Sequence, residues 1–315
     1  MHTVQRFMAL TMVGGVLGGG IWGMESASAQ STVYTVNDRT RQTTTPGTTQ
    51  VVTDREVIAR SATTDEAVSI PKNTALTIMS HRDGHTKVAV GDSNQPLWVA
   101  NLAAVTYSTQ KITISKKAKK KLNRHSLKWA KTLSKRQRKV IGVYTGEGSD
   151  AINNALRAPK KRTTAKTRQR VKDLRTALQT FKLKQPMTVY RGTSDWIVNL
   201  SLGGKTLKPG AVYQDPGFAS TTLSKTVGTD FMSEDLLKIN MPAGYHGAYL
   251  DPISSYNGED EYLLNPNTKL IVTKIQKVTI KGRLKVSLKS GKHKIKTTIR
   301  EDQRYRLITM SLMTK

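Results

Sequence analysis

The chain has 315 residues, with 51 lysines and arginines against 22 acids, a formal net charge of +29 and no cysteine. This length accommodates about two domains of ordinary size. The absence of cysteine excludes a disulfide framework, a thiolate zinc site and a cysteine nucleophile. The basic balance favours anionic partners such as cell-wall polymers, membrane surfaces, nucleic acid or acidic proteins, without choosing among them.

The N-terminus has the pattern of an export signal. Arg6 precedes an uncharged, mostly apolar stretch, residues 7–24, and a small-residue "ASA" motif ends at Ala29. We therefore predict a signal peptide over residues 1–29 and a secreted, extracellular protein. An uncleaved membrane anchor is the alternative, because the apolar run is near spanning length. The rest of the sequence predicts no transmembrane segment.

The next two segments predict a linker and a small all-β module. Residues 30–56 include the polar "TTTPGTTQ", which is typical of a linker. Residues 57–110 contain short β-prone runs around "HRDGH", a turn centred on glycine. The closing "LWV" run weakly resembles the Gly-Trp-Val strand of bacterial Src-homology-three-like wall-binding domains, with leucine in place of the glycine.

Residues 115–139 are dense in lysine and arginine and predict a helix or a pair of helices. Four apolar side chains interrupt the basic pattern: Leu122, Leu127, Trp129 and Leu133. The first interpretation is that these side chains pack one stripe of the helix on a core. The second is that the segment forms a patch for an anionic surface. The two interpretations are compatible.

Helices continue to about residue 181 and strands follow. Ser134 is placed to cap a helix that runs to Tyr144, where nearby glycines end it, and residues 150–157 predict another helix. From Met187 onward, short alternating runs predict strands, including a basic hairpin with an "SGK" turn within residues 283–300. Helices first and strands later indicate an α+β domain over residues 111–315.

Three motifs of this domain are candidates for chemistry. They are "VYRG" with Arg191, "GFASTTLS" with residues 220–222, and "YNGEDEYLL" with Glu259 and Glu261. Taken singly, each has an ordinary interpretation: a salt-bridged arginine, an edge strand or cap, and a solvated acidic turn. Their order along the chain is the informative feature.

In order and spacing the three motifs resemble the exported ADP-ribosyltransferase toxins with an arginine, a Ser-Thr-Ser-like strand and a Glu-x-Glu turn. The segments "VIGVYTGEGSDAINNALR" and "PAGYHGAYLDPISSYNGEDEYLLNPNTKLIV" are also similar to that family. The resemblance covers about residues 126–312. It implies an α+β fold of N-terminal helices and two packed, mainly antiparallel sheets, here preceded by the small all-β module.

The resemblance also implies a reaction. ADP-ribose would pass from NAD to an arginine of a target protein, with release of nicotinamide and with NAD hydrolysis as a side activity. Related toxins often modify actin or GTP-binding proteins. NAD would be the co-substrate, and no metal is implied. The six histidines lack paired metal spacing, and Asp251 with the two glutamates lacks the alternating donors of a calcium loop.

Family resemblance places Glu261 at the ribose, where a carboxylate stabilises the oxocarbenium-like transition state of glycosidic cleavage. Ser220 would hold Glu261, and Arg191 would grip the pyrophosphate with its fork of donors. Gly192 would allow a close approach of the cofactor. The further predicted cofactor contacts are Tyr190, Thr221, Thr222, Phe218 and Phe231. Core packing is the alternative for Tyr190 and for the two phenylalanines.

Glu259 bears on the acceptor. Residues two apart in a strand share a face, so Glu259 and Glu261 would face one cleft and Asp260 would point away. In this family the Glu-x-Glu pattern implies arginine as the acceptor, with Glu259 orienting it and taking its proton. Tyr256 is either a target-contacting aromatic or a packed turn residue. Coupling should raise one carboxyl pKa and Arg191 should oppose the rise, which leaves the balance open.

One departure from the family leaves a second function open. Relatives often carry a cofactor-gripping arginine where this chain has Glu234 and Asp235. The alternative is an exported protein that binds a cell wall or another anionic surface and has an inactive transferase fold. Dedicated nucleic-acid binding is disfavoured, because only 6% of residues are aromatic and no recognised motif appears.

Overall fold

The computed structural model describes residues 33–44, 50–90, 93, 95–100, 102, 106–107, 109, 111–158, 163–290 and 293–313. The predicted signal peptide lies outside these residues. The chain divides into two compact units, one of Met1–Arg41 with Lys281–Asp302 and one of Gln42–Ile280 with Gln303–Lys315. In the first unit, most of strand β1 (Val33–Thr44) neighbours the turn-proximal part of β15 (Lys269–Ser290), which is followed by β16 (His293–Leu312).

The second unit contains a seven-stranded sheet near its N-terminus. Its strands are β2 (Gln50–Thr53), β3 (Val57–Ser61), β4 (Ala67–Ile70), β5 (Ala75–Arg82), β6 (His85–Val90), β7 (Pro96–Ala100) and β8 (Thr106–Tyr107). The strand order is β4-β3-β7-β6-β5-β2-β8. Two strands, β1 and β2, thus occupy part of the segment predicted as a linker. The boundaries of the predicted domains and the Src-homology-three-like resemblance stay predictions.

The "HRDGH" turn forms as the sequence predicts. Arg82 and His85 are paired, so β5 and β6 are joined by the two residues Asp83 and Gly84. Both have positive φ, +49° and +75°. Such backbone matches the twist of a hairpin, and Asp-Gly adopts it at low cost.

Six helices follow in the described part of the chain. They are α1 (Lys116–Thr132), α2 (Lys135–Val143), α3 (Ser149–Arg157), α4 (Ala165–Thr180), α5 (Asp195–Ser201) and α6 (Lys225–Asp230). The predicted cap is confirmed, because the Ser134 hydroxyl accepts from Gln137 N and the Gln137 side chain accepts from Ser134 N. This reciprocal pair satisfies two donors at the start of α2.

One detail of the helices differs from the prediction. Leu127 is 46% exposed, so only Leu122, Trp129 and Leu133 anchor the basic segment. The glycines after Tyr144 end the helix as predicted, because Gly146 has non-helical backbone angles, φ −97° and ψ −130°, and the chain kinks there between α2 and α3. A Cβ on Gly148 would lie 2.7 Å from the carbonyl oxygen of Val143, so only glycine fits at this position.

The larger sheet carries the remaining strands. They are β9 (Met187–Thr193), β10 (Val212–Gln214), β11 (Ala219–Thr222), β12 (Asp235–Met241), β13 (Ala248–Tyr249) and β14 (Glu261–Leu264), together with β15 and β16. Its order is β15-β16-β12-β9-β11-β14-β13, and β10 pairs with β15. The β12–β16 pairing is parallel, and the other described pairings are antiparallel.

The larger sheet consists of two halves joined by a single residue pair, Thr222 with Tyr190. Side chains of both halves and of the helices share one core, as Val189 of β9, Leu263 of β14 and Leu174 of α4 illustrate. This arrangement is the predicted α+β fold of helices and two packed, mainly antiparallel sheets. The two halves therefore meet where β9 and β11 run side by side at this pair.

The seven-stranded sheet packs directly on the larger one. Val52 and Tyr107 form a small buried cluster with Ile271 of β15. Close by, a Cβ on Gly210 would lie 2.4 Å from the carbonyl oxygen of Asn73. The small β module is therefore held against the α+β domain by apolar contacts as well as by the connecting chain.

Candidate active site

Strand pairing brings the three motifs together. Within β11 and β14, Thr222 lies opposite Glu261 and Ser220 opposite Leu263. Thr222 also lies opposite Tyr190, the residue before Arg191. Segments that are far apart in the sequence thus meet where the two halves of the larger sheet join.

Glu261, the first residue of β14, is the carboxylate at the centre of this site. It is buried, with 7% of its surface exposed. Burial, together with the nearby charges of Glu259 and Asp251, raises the pKa of Glu261 to about 7. A hydrogen bond from Ser220 and the charge of Arg191 lower this pKa but do not offset the rise. The balance left open by the sequence therefore favours a raised pKa, as expected of a functional carboxyl group.

A chain of hydrogen bonds from the helices reaches Ser220. The Tyr144 hydroxyl lies 3.3 Å from Ser220 Oγ, and Asn153 Nδ2 donates to that hydroxyl at 3.2 Å. Asn153 Oδ1 accepts from the backbone N–H of Phe218 at 2.8 Å. Tyr144 and Asn153 lie in the helical segment used for the resemblance, but the sequence did not assign them a site role. The Tyr-Thr and Ile-Asn pairs quoted there were the available signal.

Arg191 belongs to a buried ionic network that the sequence missed. Its Nη1 donates to the Ser220 carbonyl at 2.9 Å, and its Nη2 lies 3.8 Å from Asp215 Oδ2. Arg157 binds the same carboxylate through two hydrogen bonds of 2.9 and 2.7 Å, and Gly217 N donates to it at 2.8 Å. Buried Arg191 Nε has no hydrogen-bond partner among the described residues. One donor of the Arg191 fork therefore remains for an anionic ligand.

The turn that precedes β14 is organised by a different carboxylate. Asp251 Oδ1 accepts from the backbone N–H groups of Gly258, at 2.9 Å, and Asp260, at 2.8 Å. Gly258 and Asp260 both have positive φ, +97° and +54°. The Asp260 carboxylate accepts from Lys119 Nζ of α1 at 2.7 Å and from the Tyr249 hydroxyl at 3.0 Å. The sequence attributed the direction of Asp260 to strand alternation. Because β14 begins only at Glu261, Asp260 lies outside the strand, and its left-handed backbone sets its direction instead.

Glu259 lies in the same turn and is partly exposed. Its carbonyl oxygen accepts from Thr222 Oγ1, which ties the turn to β11. Burial and the charge of Asp251 raise the pKa of Glu259. Tyr256 is 55% exposed, so a partner protein can reach its ring; its role in target contact stays a prediction.

Two predicted cofactor contacts, Tyr190 and Gly192, pack against other parts of the protein. Tyr190 is buried with Leu236, and Lys111 Nζ lies 5.8 Å from the centre of its ring. This is the face of β9 opposite to Arg191. A Cβ on Gly192 would meet the backbone of Gly228, 2.4 Å away. Gly192 therefore allows α6 to pack closely, and the core interpretation of Tyr190 is the one its surroundings favour.

The other predicted contacts divide between core and surface. Phe218 is fully buried and its ring packs on Tyr144 at 5.7 Å, whereas Phe231 is 63% exposed. Thr221 is buried and donates to the Tyr262 carbonyl. Of these three, only Phe231 has a surface that a ligand can reach directly. Their roles toward NAD stay predictions.

Glu234 and Asp235, which stand where relatives often carry an arginine, have partners within the protein. Glu234 Oε2 accepts from the backbone N–H of Asp195 at 3.1 Å, at the first turn of α5. Asp235 is fully buried and forms two hydrogen bonds with Arg306 of β16, at 2.6 and 2.7 Å. Arg306 also pairs with Asp195. These residues thus fasten α5 to β12 and β16 of the larger sheet.

Two broader searches of the described residues gave negative results. They contain no group of three or more His, Asp or Glu side chains arranged to hold a metal ion. Among the helices within the described ranges, none is both long and apolar enough to cross a membrane.

Comparison with known protein families identifies the class to which this fold belongs. The model of the ADP-ribosyltransferase exoenzyme family matches residues 119–298, more than half of the chain. The chain therefore belongs to the ADP-ribosyltransferase exoenzyme family.

Particular relatives are a curated protein and several solved structures. The NAD(+)–arginine ADP-ribosyltransferase EFV of Enterococcus faecalis is 32% identical over 167 residues, which is 49% of this chain and 33% of that protein. The chain thus spans about a third of the length of this relative. The Plx2a toxin of Paenibacillus larvae is 25% identical, with a TM-score of 0.49, over 63% of this chain and 96% of that one. An ADP-ribosyltransferase of Clostridium botulinum is 22% identical, with a TM-score of 0.46, over 65% of this chain and 98% of that one.

Proposed function

We propose that this protein is a secreted mono-ADP-ribosyltransferase that moves ADP-ribose from NAD to an arginine of a target protein and releases nicotinamide. The observation that carries the proposal is the buried Glu261 carboxyl, held near Ser220 and Arg191 and coupled to Glu259. Family membership supports the transfer of ADP-ribose. The name of the Enterococcus faecalis relative supports arginine as the acceptor.

NAD fits the donors that the site offers. Arg191 is anchored by the Ser220 carbonyl and faces Asp215, while its buried Nε has no partner in the described part of the chain. A buried donor without a partner is costly, and an anionic oxygen would satisfy it. Arg191 would therefore hold the pyrophosphate of NAD, the role that the family resemblance gives it.

Glu261 would act at the ribose. As the bond between ribose and nicotinamide breaks, its electron pair leaves with nicotinamide and positive charge develops on the ribose. An ionised Glu261 stabilises that charge more than it stabilises the ground state, and so accelerates the step. Ser220 donates a hydrogen bond that favours the ionised form and fixes its orientation. A cationic nicotinamide ring nearby would lower the raised pKa of Glu261 toward the reactive state.

Glu259 would serve the acceptor. A guanidinium nitrogen of the target forms the new bond to the ribose carbon and loses one proton. The Glu259 carboxylate would orient the guanidinium and take that proton. Its partial exposure keeps it accessible to a second protein. The exposed Tyr256 is three residues away and would contact the same target.

The target and the site of action belong to the proposal as well. We infer a protein substrate with an accessible arginine, of which actin and GTP-binding proteins are candidates by resemblance. Secretion rests on the predicted signal peptide over residues 1–29. The basic helices and the small β module would contact an anionic cell wall or membrane surface.

The test uses labelled NAD with the mature protein, a host-cell lysate and a free arginine analogue. Glu261→Gln should lose both NAD hydrolysis and transfer by at least about a hundredfold, the loss that follows removal of one transition-state contact. Glu259→Gln should retain much of the hydrolysis and lose transfer to arginine. Exposed Glu66, in the small β module, supplies the control Glu66→Gln, which should behave as wild type.

Two results would count against the proposal. Equal loss of hydrolysis and transfer in Glu259→Gln would refute the division of roles between the glutamates. A folded wild-type protein that neither hydrolyses NAD nor labels any acceptor would leave the alternative of an inactive surface-binding protein. Mass spectrometry of the labelled target then identifies the protein and the side chain.

A further inference from the structure

A group of lysines lies on the face of the larger sheet that is turned away from Arg191. Lys238 of β12 is opposite Tyr190 of β9. Side chains at paired positions share a face, and neighbouring residues of a strand point to opposite faces. Lys238 and Tyr190 therefore lie on one face, and Arg191 on the other. Lys111, Lys225 and Lys274 complete what we call the lysine cluster, and their charges all act on Lys238.

Two members of the cluster have fixed positions. Lys238 Nζ donates to the Thr109 carbonyl at 2.8 Å. Lys111 Nζ lies over the Tyr190 ring, 5.8 Å from its centre. A cation over an aromatic face is attracted by the ring, so this contact restrains an otherwise flexible side chain. The ammonium groups thus have a partly preorganised arrangement.

Lys225 is the first residue of α6, which packs on the same face. A Cβ on Gly228 of α6 would be 2.9 Å from Tyr190 Cβ and 3.2 Å from a methyl of Leu236. Lys225 is half-buried, as are Lys238 and Lys274. The cluster therefore draws on a helix, two strands and the chain that leads from the small β module.

The lysines crowd one another electrostatically. Burial lowers the pKa of Lys238, and the charges of Lys274, Lys111 and Lys225 lower it further. Burial and the charge of Lys111 lower the pKa of Lys225. Like charges in partly buried positions destabilise a fold unless an opposite charge compensates them. An anion among the ammonium groups would provide that compensation.

We propose that Lys111, Lys225 and Lys238, with Lys274 adding to the field, form a binding site for a phosphate-type anion. Each lysine ammonium offers three donors, and a phosphate offers several acceptor oxygens. The site lies on the opposite face of the sheet from Arg191, and none of its lysines has a part in the proposed transfer reaction. Both free phosphate and the phosphomonoester of a larger molecule have the required chemistry.

Calorimetric titration at low ionic strength, in a buffer free of phosphate, tests the site. The titrants are inorganic phosphate and glycerol phosphate, a phosphomonoester. The double variant Lys111→Gln, Lys225→Gln should bind phosphate at least about tenfold more weakly, because two charge-assisted contacts are lost. The control Lys166→Gln, Lys172→Gln removes two exposed lysines of α4 and the same net charge. It should bind as wild type does.

The proposed NAD cleft is also a candidate for phosphate, so two further arms separate the sites. Arg191→Gln and wild type saturated with NAD should both retain phosphate binding. Loss of binding in these arms with retention in the lysine variant would overturn the proposal, as would no binding to wild type. Equal loss in the two lysine variants would also overturn it, by showing a diffuse charge effect. Circular dichroism confirms that each variant is folded, and Lys111→Gln alone provides a milder test.

If both titrants bind, the site accepts the phosphate of a larger molecule. If only inorganic phosphate binds, its ligand is the free ion. Either result supports the site and identifies the source of its ligand. A failure of the labelled-NAD experiment would leave this result unaffected, since no step of transfer enters the titration.

Discussion

The candidate active site contains two groups of charged residues, the arginine network and the acidic turn, in which the charges are arranged in opposite ways. In the arginine network, the Asp215 carboxylate is surrounded by the guanidinium groups of Arg157 and Arg191 and by the Gly217 N–H. The acidic turn, residues 251–261, instead brings four carboxylates close together. Asp251 accepts from two backbone N–H groups, Asp260 accepts from Lys119 and Tyr249, and Glu261 accepts from Ser220.

The contrast divides the carboxylates into those that hold other groups in place and those whose pKa values are raised. Asp215, Asp251 and Asp260 are paired or hydrogen-bonded and hold backbone or arginines in place. Glu259 and Glu261 remain under-compensated, and their pKa values are raised. Carboxyl groups with this imbalance are the ones able to respond to a cationic ligand. Each variant below, apart from the controls, removes one charge from the arginine network or from the acidic turn and its contacts.

The largest effect on stability is expected at Asp215. Asp215→Asn keeps the shape of the side chain but leaves two largely buried arginines facing a neutral group. Breaking one side of a buried ion pair costs about 3 kcal/mol or more. Urea denaturation should show this loss in the free energy of unfolding.

The surface pair Arg136–Asp173 is a matched control for that experiment. Two nitrogens of Arg136 also donate to its carboxylate, Nη2 at 2.9 Å and Nε at 3.3 Å, but this arginine is exposed. Asp173→Asn should cost about 1 kcal/mol or less. Similar losses at the two sites would mean that burial of the arginine network contributes little.

The raised pKa of Glu261 in the acidic turn should make the free energy of unfolding depend on pH. The pKa of Glu261 is about 7 in the folded protein against an ordinary value of 4.5, so the folded state binds more protons between these values. The stabilisation from the protonated carboxyl is present below pH 4.5 and is lost as the pH rises to about 7. Glu261→Gln removes this titration. Relative to wild type, the variant should gain up to about 3 kcal/mol of unfolding free energy from pH 5 to pH 8.

Thermal or urea unfolding at both pH values measures this difference. Any change in the Ser220 hydrogen bond affects the variant at both pH values, so the change between them isolates the titration. A stability difference that stays constant with pH would contradict the raised pKa of Glu261.

The sequence could predict features that depend on neighbours in the chain. The Ser134 cap needs Gln137 three residues later, and the hairpin at Asp83 needs only Asp-Gly between two strands. The meeting of Arg191, Ser220 and Glu261 was predicted by a resemblance that depends on the order of motifs. The structure supplies the physical reason, which is that their strands are adjacent.

Features that depend on distant parts of the chain could not be predicted. No local pattern marks Asp215 as the partner of Arg157, because the contact joins α3 to the loop before β11. The direction of Tyr190 depends on the packing of α6 over β9, and the backbone of Asp260 depends on the hydrogen bonds that Gly258 N and Asp260 N donate to Asp251. A single sequence contains these residues without their pairings.

Asp251 offers an intermediate test, because its charge and its hydrogen bonds can be separated. Asp251→Asn retains an oxygen that can accept from Gly258 N and Asp260 N but removes the charge that raises the pKa of Glu261. Its activity should therefore reach half-maximum at a lower pH than that of wild type. Asp251→Ala also loses both hydrogen bonds and should cost about 2 kcal/mol of stability.

The pH–rate profile for NAD hydrolysis and the ratio of transfer to hydrolysis distinguish the two variants. Only Asp251→Ala should lower that ratio, because only it releases the backbone that positions Glu259. If both variants shift the ratio equally, the charge of Asp251 rather than its contacts places the turn.

The smallest effect is expected at Lys119, which joins α1 to the acidic turn through Asp260. The pair is partly exposed, and Asp260 keeps its hydrogen bond from Tyr249 when the lysine is removed. Lys119→Met should therefore cost at most about 1 kcal/mol, and the cost should shrink at high salt. Lys120→Met, at an exposed position of the same helix, is the control. A loss several times larger that persists in high salt would show that the acidic turn depends on α1 as strongly as the arginine network depends on Asp215.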